Sequence, residues 1–195
     1  MWPIVVFREI RCFWSFCVQS RGKTQRNGKK MAHRKHGDMQ KQIVVVQDTR
    51  EQTPLALAEY GLSVVVEKLD FGDYSIKYPD LRGSFVIERK SLADFVACCG
   101  VERDRFEREL TALRGFAHPY VVGEFGLRDI LGHTYRSKIN PKSVMSTIAK
   151  WAGEGINFLF CDSPQGASYI AAKLIQFRAE QSLRQAACAC NILLP

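Results

Sequence analysis

The sequence predicts an α/β domain in which helices cover both faces of a sheet. A continuous apolar run, Ile43–Val46, is typical of a strand buried inside a sheet. Two further apolar segments, 74–77 and 84–88, are separated by a loop that contains Pro-Asp, and this pattern predicts a hairpin. From Ser91 onward, helical and strand patterns alternate, which favours helices packed against a sheet. The length of 195 residues fits one domain with a tail.

The elements before the hairpin follow from local signals. The first strand ends at Asp48-Thr49-Arg50-Glu51. Thr53-Pro54 then predicts the start of a short helix, because Thr can cap it and Pro suits its first turn, and Gly61 predicts its end. A second strand is expected over 63–69, followed by a turn at 70–73.

The elements after the hairpin are bounded by caps and glycines. Ser91-x-x-Asp94 resembles a capping box and predicts a helix start. The remaining predicted elements are a charged helix over 102–114, a strand over 119–123, a helix over 140–151, a strand over 156–161 and a last long helix from Ser163-Pro164.

The net positive charge is confined to the start of the chain. Residues 1–41 carry ten Lys or Arg and two Asp or Glu, whereas residues 42–195 carry eighteen of each, so the first segment supplies the formal charge of +8. We expect a disordered basic arm over 1–41 and a folded domain over 42–195. The arm either adds non-specific affinity for DNA or is a plain solvated linker.

Cysteine spacing and hydropathy exclude several classes of protein. Seven cysteines without paired spacing predict free thiols in a reducing compartment rather than a zinc or disulfide framework. No stretch reaches the ~20 apolar residues of a membrane helix. The apolar start is interrupted by Arg8, Glu9 and Arg11, unlike a secretory signal. We therefore expect a cytoplasmic location and no membrane association.

Two acids and a lysine surround the predicted hairpin. Asp73 follows Gly72 in the turn, and the strand at 84–87 leads to Glu88 and then to Lys90. Residues two apart in a strand point to the same side, so Glu88 and Lys90 share a face, near Asp73 if the hairpin folds back. Two carboxylates hold a divalent ion through oxygen ligands, and a lysine can steady phosphate charge. This set predicts metal-assisted hydrolysis of phosphodiesters.

The strings that carry these residues resemble a known family. An acid, a gap and acid-x-lysine is the spacing of the restriction-endonuclease-like superfamily. Gly72-Asp73-Tyr74, Glu88-Arg89-Lys90-x-x-x-Asp94 and Asp48-Thr49-Arg50-Glu51 together resemble the nuclease domain of the XPF family of structure-specific DNA endonucleases. The resemblance implies a restriction-endonuclease-like fold, with a central mixed sheet flanked by helices, over 42–195. It also implies Mg²⁺- or Mn²⁺-dependent cleavage of branched or partly single-stranded DNA.

The resemblance assigns roles to the central residues. Asp73 and Glu88 would hold the metal ion, together with the backbone carbonyl of Arg89. Lys90 would position the attacking water or stabilise charge on the phosphate. The alternatives are an ordinary turn residue for Asp73 and a solvent-facing ion pair between Lys90 and Glu88.

Further roles are expected for five neighbouring residues. Asp48 matches an acidic active-site position of the family, although an Asp48–Arg50 surface pair would also explain it. Arg50 and Arg105 are expected to contact DNA, although Arg105 also fits an ion-paired helix face. Arg89 could pair with a carboxylate or hold a phosphate. Asp94 completes the family motif, and it also serves as the helix cap.

The sequence differs from the family in ways that bear on its expected partners. No Gly-rich hairpin repeat of a helix-hairpin-helix module follows residue 177, so we expect a stand-alone nuclease of a bacterial, phage or mobile-element setting. The family dimerises through this domain, and the last helix, 167–183, could contribute to a homodimer or simply pack on its own sheet. Two rival functions are a catalytically inactive DNA-binding scaffold with the same fold and an RNA-processing nuclease.

Overall fold

A six-stranded mixed sheet forms the centre of the computed structural model, which describes residues 43–193. The predicted arm over 1–41 lies outside the described residues, and the domain boundary at 42 stays a prediction. The strands are β1 (Val44–Asp48), β2 (Ser63–Glu67), β3 (Tyr74–Tyr78), β4 (Phe85–Lys90), β5 (His118–Gly123) and β6 (Asn157–Phe160). The helices are a 3-10 helix (Leu57–Tyr60), α1 (Leu92–Cys98), α2 (Arg103–Leu113), α3 (Leu127–Leu131), α4 (Pro141–Gly153) and α5 (Pro164–Leu193).

The position of β3 in the sheet brings distant segments of the chain together. The strand order is β2-β1-β3-β4-β5-β6, and β3 runs antiparallel to both of its neighbours. The other pairs, β1 with β2, β4 with β5 and β5 with β6, are parallel. The start of β3 therefore lies beside the ends of β1 and β4, where Tyr74 is opposite Gln47 on one side and Ile87 on the other.

Each face of the sheet carries its own hydrophobic core because side chains alternate along each strand. The first, here called the α2 face, is covered by α1, α2 and α4. Its core includes Val86, Phe95, Phe106, Val121 and Trp151. The second, here called the α5 face, is covered by α5 and the 3-10 helix. Its core includes Tyr74, Phe85, Ile87, Val122 and Ile175. The predicted α/β fold with helices on both faces is confirmed.

The helix predicted from Thr53-Pro54 was wrong in its start and its type. A single 3-10 turn begins only at Leu57, and Gly61 ends it with a φ of 78°. The backbone N–H groups that precede this turn form hydrogen bonds with side chains distant in the sequence. The Leu55 N–H donates to the Tyr74 hydroxyl (2.8 Å), and the Ala56 N–H donates to Ser168 Oγ (3.1 Å). Tertiary hydrogen bonds therefore replace the expected first helical turn.

The remaining differences from the predicted elements are smaller. Helix α3 has no predicted counterpart; it starts where the Asp129 carboxylate accepts a hydrogen bond from the Gly126 N–H (2.8 Å). Strand β2 ends at Glu67 rather than at Leu69, because the Leu69 N–H donates to Asp48 Oδ2 (2.6 Å) and leaves the ladder. Strand β4 extends beyond Glu88 to Lys90.

The last helix packs on its own sheet. Ala167, Ala171, Ala172, Ile175 and Ala179 are buried at helical spacing in the core of the α5 face. A homodimer through this helix stays a prediction. Between residues 43 and 193, none of the helices combines the length and apolar character that a bilayer crossing requires.

Candidate active site

The start of β3 places Asp73 between the ends of two other strands. The Asp73 carbonyl accepts a hydrogen bond from the Asp48 N–H (2.8 Å), and the Asp73 N–H donates to the Ile87 carbonyl (2.8 Å). The Asp73 side chain adds a third contact, because its Oδ2 accepts a hydrogen bond from the Arg89 N–H (2.7 Å). The backbone at Asp73 is thus held by β1 and β4 together.

The turn before Asp73 requires glycine. Gly72 has a φ of 72°, a conformation that residues with a side chain rarely adopt. A Cβ atom at this position would also lie 2.2 Å from Cγ2 of Val86. The Gly-Asp-Tyr string therefore has a structural cause: Gly72 turns the chain against β4, and Asp73 and Tyr74 follow on opposite faces.

Alternation along β3 and β4 brings the predicted acids and lysine to one face. Tyr74 lies in the core of the α5 face, so Asp73 points to the α2 face. Val86 lies in the core of the α2 face, so Glu88 and Lys90 point the same way. These residues line one cleft of about 270 Å³. Its full lining is Arg50, Asp70, Phe71, Gly72, Asp73, Glu88, Lys90, Arg105, Glu109 and Leu113.

The carboxyl groups of Asp73 and Glu88 are held in an environment that disfavours their negative charge. Burial raises the pKa of Asp73 to about 7, and the nearby charge of Glu88 adds to the effect. Burial also raises the pKa of Glu88, although the charge and hydrogen bond of Lys90 oppose this shift. A cation placed between the two groups would relieve both the desolvation and the repulsion.

Lys90 is the cation that faces these acids. Its ammonium group pairs with Glu88 and lies 5.1 Å from the centre of the Phe106 ring. Burial lowers the pKa of Lys90, but the charge and hydrogen bond of Glu88 outweigh it, so the net shift is upward. Lys90 therefore stays protonated at neutral pH and can act as a donor and a positive charge, but not as a general base.

Asp48 lies at the end of β1, but it is not among the residues that line the cleft. Its side chain is 1% exposed, and both carboxylate oxygens accept hydrogen bonds. Oδ1 accepts from the Arg50 N–H (2.8 Å) and from Arg50 Nε (2.6 Å), and Oδ2 accepts from the Leu69 N–H (2.6 Å). Burial opposes its charged form, but these hydrogen bonds prevail and hold the pKa of Asp48 below its usual value. Asp48 thus fixes the guanidinium of Arg50 at the cleft.

Arg89 points to the opposite face from its two neighbours. Its guanidinium makes a two-pronged contact with the Glu124 carboxylate (2.7 and 2.6 Å) and lies 3.6 Å from Glu51. Only 10% of the Arg89 side chain is exposed. Of the two roles considered for the Arg89 side chain, the structure shows the pairing with carboxylates. Contact with DNA stays a prediction.

The fold and this cleft can be compared with known proteins. The model of the ERCC4 domain family matches residues 47–174, which include every motif described above.

The chain belongs to the ERCC4 domain family.

A solved structure has a similar fold: XPF from Aeropyrum pernix is 21% identical and superposes with a TM-score of 0.55, and the match covers 76% of this chain and 69% of that chain. Twenty-five solved chains match in all, and no curated protein does. The predicted resemblance to the XPF nuclease domain is confirmed, and the chain falls in a family of structure-specific nucleases.

Arg105 and Asp94 occupy different parts of this ERCC4 domain. Arg105 lines the cleft from α2, where it pairs with Glu102 and Glu109. Asp94 belongs to the cap of α1: its N–H donates to Ser91 Oγ (3.2 Å), and the Ser91 hydroxyl donates to its carboxylate (2.7 Å). The capping role of Asp94 is thus present, and a role in catalysis stays a prediction.

Several residues of the site were not anticipated from the sequence. Glu109 and Asp70 line the cleft, Glu51 is buried beside Arg89, and Phe71 forms part of the cleft wall. The sequence did contain a signal for Glu51, because this residue is the last of the Asp-Thr-Arg-Glu string. Glu109 had a weaker one, because it lies four residues after Arg105 and so on the same helical face.

The donors available to a metal ion are few. Within residues 43–193, no group of three or more His, Cys, Asp and Glu side chains is placed to hold an ion. Four carboxylates line the cleft, those of Asp70, Asp73, Glu88 and Glu109, and a metal centre on Asp73 and Glu88 stays a prediction. Its further ligands would be backbone carbonyls and waters. Oxygen donors of this kind suit Mg²⁺ and Mn²⁺.

We predict that Asp73→Asn flattens the pH dependence of stability in the metal-free ERCC4 domain. The raised pKa of Asp73 means that the folded chain keeps a proton that the unfolded chain has lost. Stability therefore falls as pH rises from about 4 to about 7. Above pH 7 the variant should be more stable than wild type by roughly 1–3 kcal/mol. Denaturant unfolding with a chelator across this range measures the difference. An unchanged pH profile in the variant would contradict the prediction.

Proposed function

We propose that this ERCC4 domain is a metal-dependent endonuclease that cuts DNA where paired and unpaired strands meet. One observation carries the proposal: Asp73, Glu88 and Lys90 converge on a single cleft at the ends of β1 and β4. Two acids and one lysine that are largely removed from water are costly to hold together unless a ligand compensates their charges. A divalent ion and a phosphate supply that compensation.

Asp73 and Glu88 would hold the ion, and the backbone favours Arg89 as a third donor. Along β4 the carbonyls alternate in direction, and the Ile87 carbonyl points to the β3 side, where it accepts from the Asp73 N–H. The carbonyl of Arg89, two residues on, points to the same side. When bound, the ion would activate water for attack on phosphorus and offset the charge of the phosphate.

The three positively charged side chains of the cleft would have different roles. Lys90 stays protonated and donates to the attacking water or to a phosphate oxygen. Arg50 is held at the cleft by Asp48, so its guanidinium meets a phosphate with little loss of side-chain freedom. Arg105 is carried by α2 on the other wall and contacts the strand from that side.

Cleavage assays test this proposal. Purified protein is incubated with labelled flap, fork, bubble and linear duplex DNA and with matched RNA, with Mg²⁺ or with a chelator. We expect metal-dependent cuts in the branched DNA and little cleavage of the linear duplex or of RNA. Binding of branched DNA without any cleavage would favour the scaffold, and preferential cleavage of RNA would favour an RNA-processing nuclease.

A further inference from the structure

An exposed aromatic ring stands beside the acids of the cleft. Phe71 lies two residues before Asp73, and it is 48% exposed. Single exposed apolar side chains are common on protein surfaces, so it is the position of Phe71 beside the cleft, and not its exposure alone, that suggests a role. The mechanism proposed above makes no use of this residue, although its ring belongs to the wall of the same cleft.

Phe71 separates the cleft from a second groove. This neighbouring groove has a volume of about 630 Å³ and shares only Asp70 and Phe71 with the cleft. Its other lining residues are Lys68, Leu69, Ser75, Asp80, Arg82, Gly83, Ala112, Gly115 and Phe116. A strand whose phosphate lies in the cleft would therefore pass the Phe71 ring as it enters the groove.

The ring is held in place by the structure around it. Phe71 makes an edge-to-face contact with Phe116, with ring centres 6.5 Å apart and planes at 79°. The backbone on its other side is fixed by the turn at Gly72 and by the hydrogen bond from the Asp73 N–H to Ile87. A ring fixed in this way loses little freedom when a flat ligand covers it.

The charges of the groove favour a base over a phosphate as its ligand. Lys68 forms no ion pair with another described residue, but Arg82 is paired with Asp80, and Asp70 adds a further negative charge. These opposite charges nearly cancel, so the groove is not a track for a polyanionic backbone. Its apolar surface, supplied by Phe71, Leu69 and Phe116, matches the face of a nucleobase.

We propose that Phe71 stacks on an unpaired base next to the scissile phosphate, and that the apolar side of the groove beyond it receives the bases that follow in the unpaired strand. This inference rests on the proposed endonuclease function. It gives the cleft a physical means of preferring junctions, because a base in a continuous duplex is stacked on its neighbours and is not free to cover the ring. Phe71 would then be a specificity-determining residue.

Fluorescence quenching tests whether a base stacks on Phe71, and it requires no cleavage of the DNA. A flap DNA carries 2-aminopurine at the first unpaired position, and the protein carries Asp73→Asn to prevent cleavage. We expect binding to quench the probe, and Phe71→Leu to remove most of the quenching and to weaken binding of the flap about 10-fold. Phe71→Tyr, which keeps the ring, should restore both. Phe177→Leu is the matched control, because Phe177 is 60% exposed on α5, over the opposite face of the sheet.

The outcomes separate this inference from the proposed function. Equal quenching by the parent and by Phe71→Leu, or equal loss in Phe177→Leu, overturns the inference even if the wild-type protein cleaves flaps. An absence of quenching in the parent overturns it as well. If quenching depends on Phe71 but the wild-type protein cleaves nothing, the stacking site stands and the endonuclease proposal fails.

Discussion

Asp73→Asn should abolish metal-dependent cleavage, with a rate at least ~10³-fold below that of wild type, while DNA binding stays close to normal. The substitution removes one of the two negative charges available to the ion but changes the side-chain volume little. An Asn oxygen can still accept the hydrogen bond from the Arg89 N–H that Asp73 accepts at 2.7 Å. Single-turnover cleavage of a labelled flap, with binding measured by anisotropy, separates the two effects.

Asp104→Asn provides the matched control for this variant. Asp104 is exposed on α2 and is not among the residues that line the cleft. Its replacement should leave both cleavage and binding unchanged. Near-normal cleavage by Asp73→Asn would rule out a metal centre built on this residue, whatever the control does.

Lys90→Ala should lower the single-turnover rate by roughly 10²-fold at saturating Mg²⁺, with a much smaller loss of DNA affinity. The Lys90 side chain is only 12% exposed and pairs with Glu88, so the variant also leaves a buried acid without its partner. That loss raises the pKa of Glu88 further, because Lys90 is what opposes the upward shift. The rate must therefore be measured above neutral pH and across a range of Mg²⁺ concentrations.

Lys150→Ala separates a specific effect from loss of any lysine. Lys150 makes ion pairs with Glu107 and Glu154 on the protein surface, where such pairs are worth little. We expect no change in rate for this variant. If Lys90→Ala only raises the Mg²⁺ requirement and reaches the wild-type rate at saturation, Lys90 serves as a partner of Glu88 and not in the chemistry.

The sequence could predict the central residues because their placement follows from short-range rules. Gly72 before Asp73 signals a turn, and a period of two along β4 puts Glu88 and Lys90 on one face. The hairpin signal then brings Asp73 to the same end of the sheet. The apolar runs and helix caps likewise predicted most elements, because burial and capping depend on local pattern.

The parts that escaped prediction depend on contacts between distant segments. The early end of β2 at Glu67 and the late 3-10 turn come from hydrogen bonds to Asp48, Tyr74 and Ser168. Such partners cannot be inferred from spacing along the chain. Glu109 looked like one charge among many on α2, and only the packing of that helix over β4 brings it to the cleft.

The central claim is that Asp73 and Glu88 together hold a divalent ion. Titration calorimetry with Mn²⁺ above neutral pH tests it most directly, on wild type, Glu88→Gln and the exposed control Glu59→Gln, with melting temperatures recorded in parallel. We expect Mn²⁺ to bind wild type and the control and to raise their melting temperatures, because the ion binds only the folded state. Glu88→Gln should lose most of both effects and be at least as stable as wild type without metal, since one of two repelling charges is gone. Equal Mn²⁺ binding by wild type and Glu88→Gln, or no binding by either, would contradict the claim.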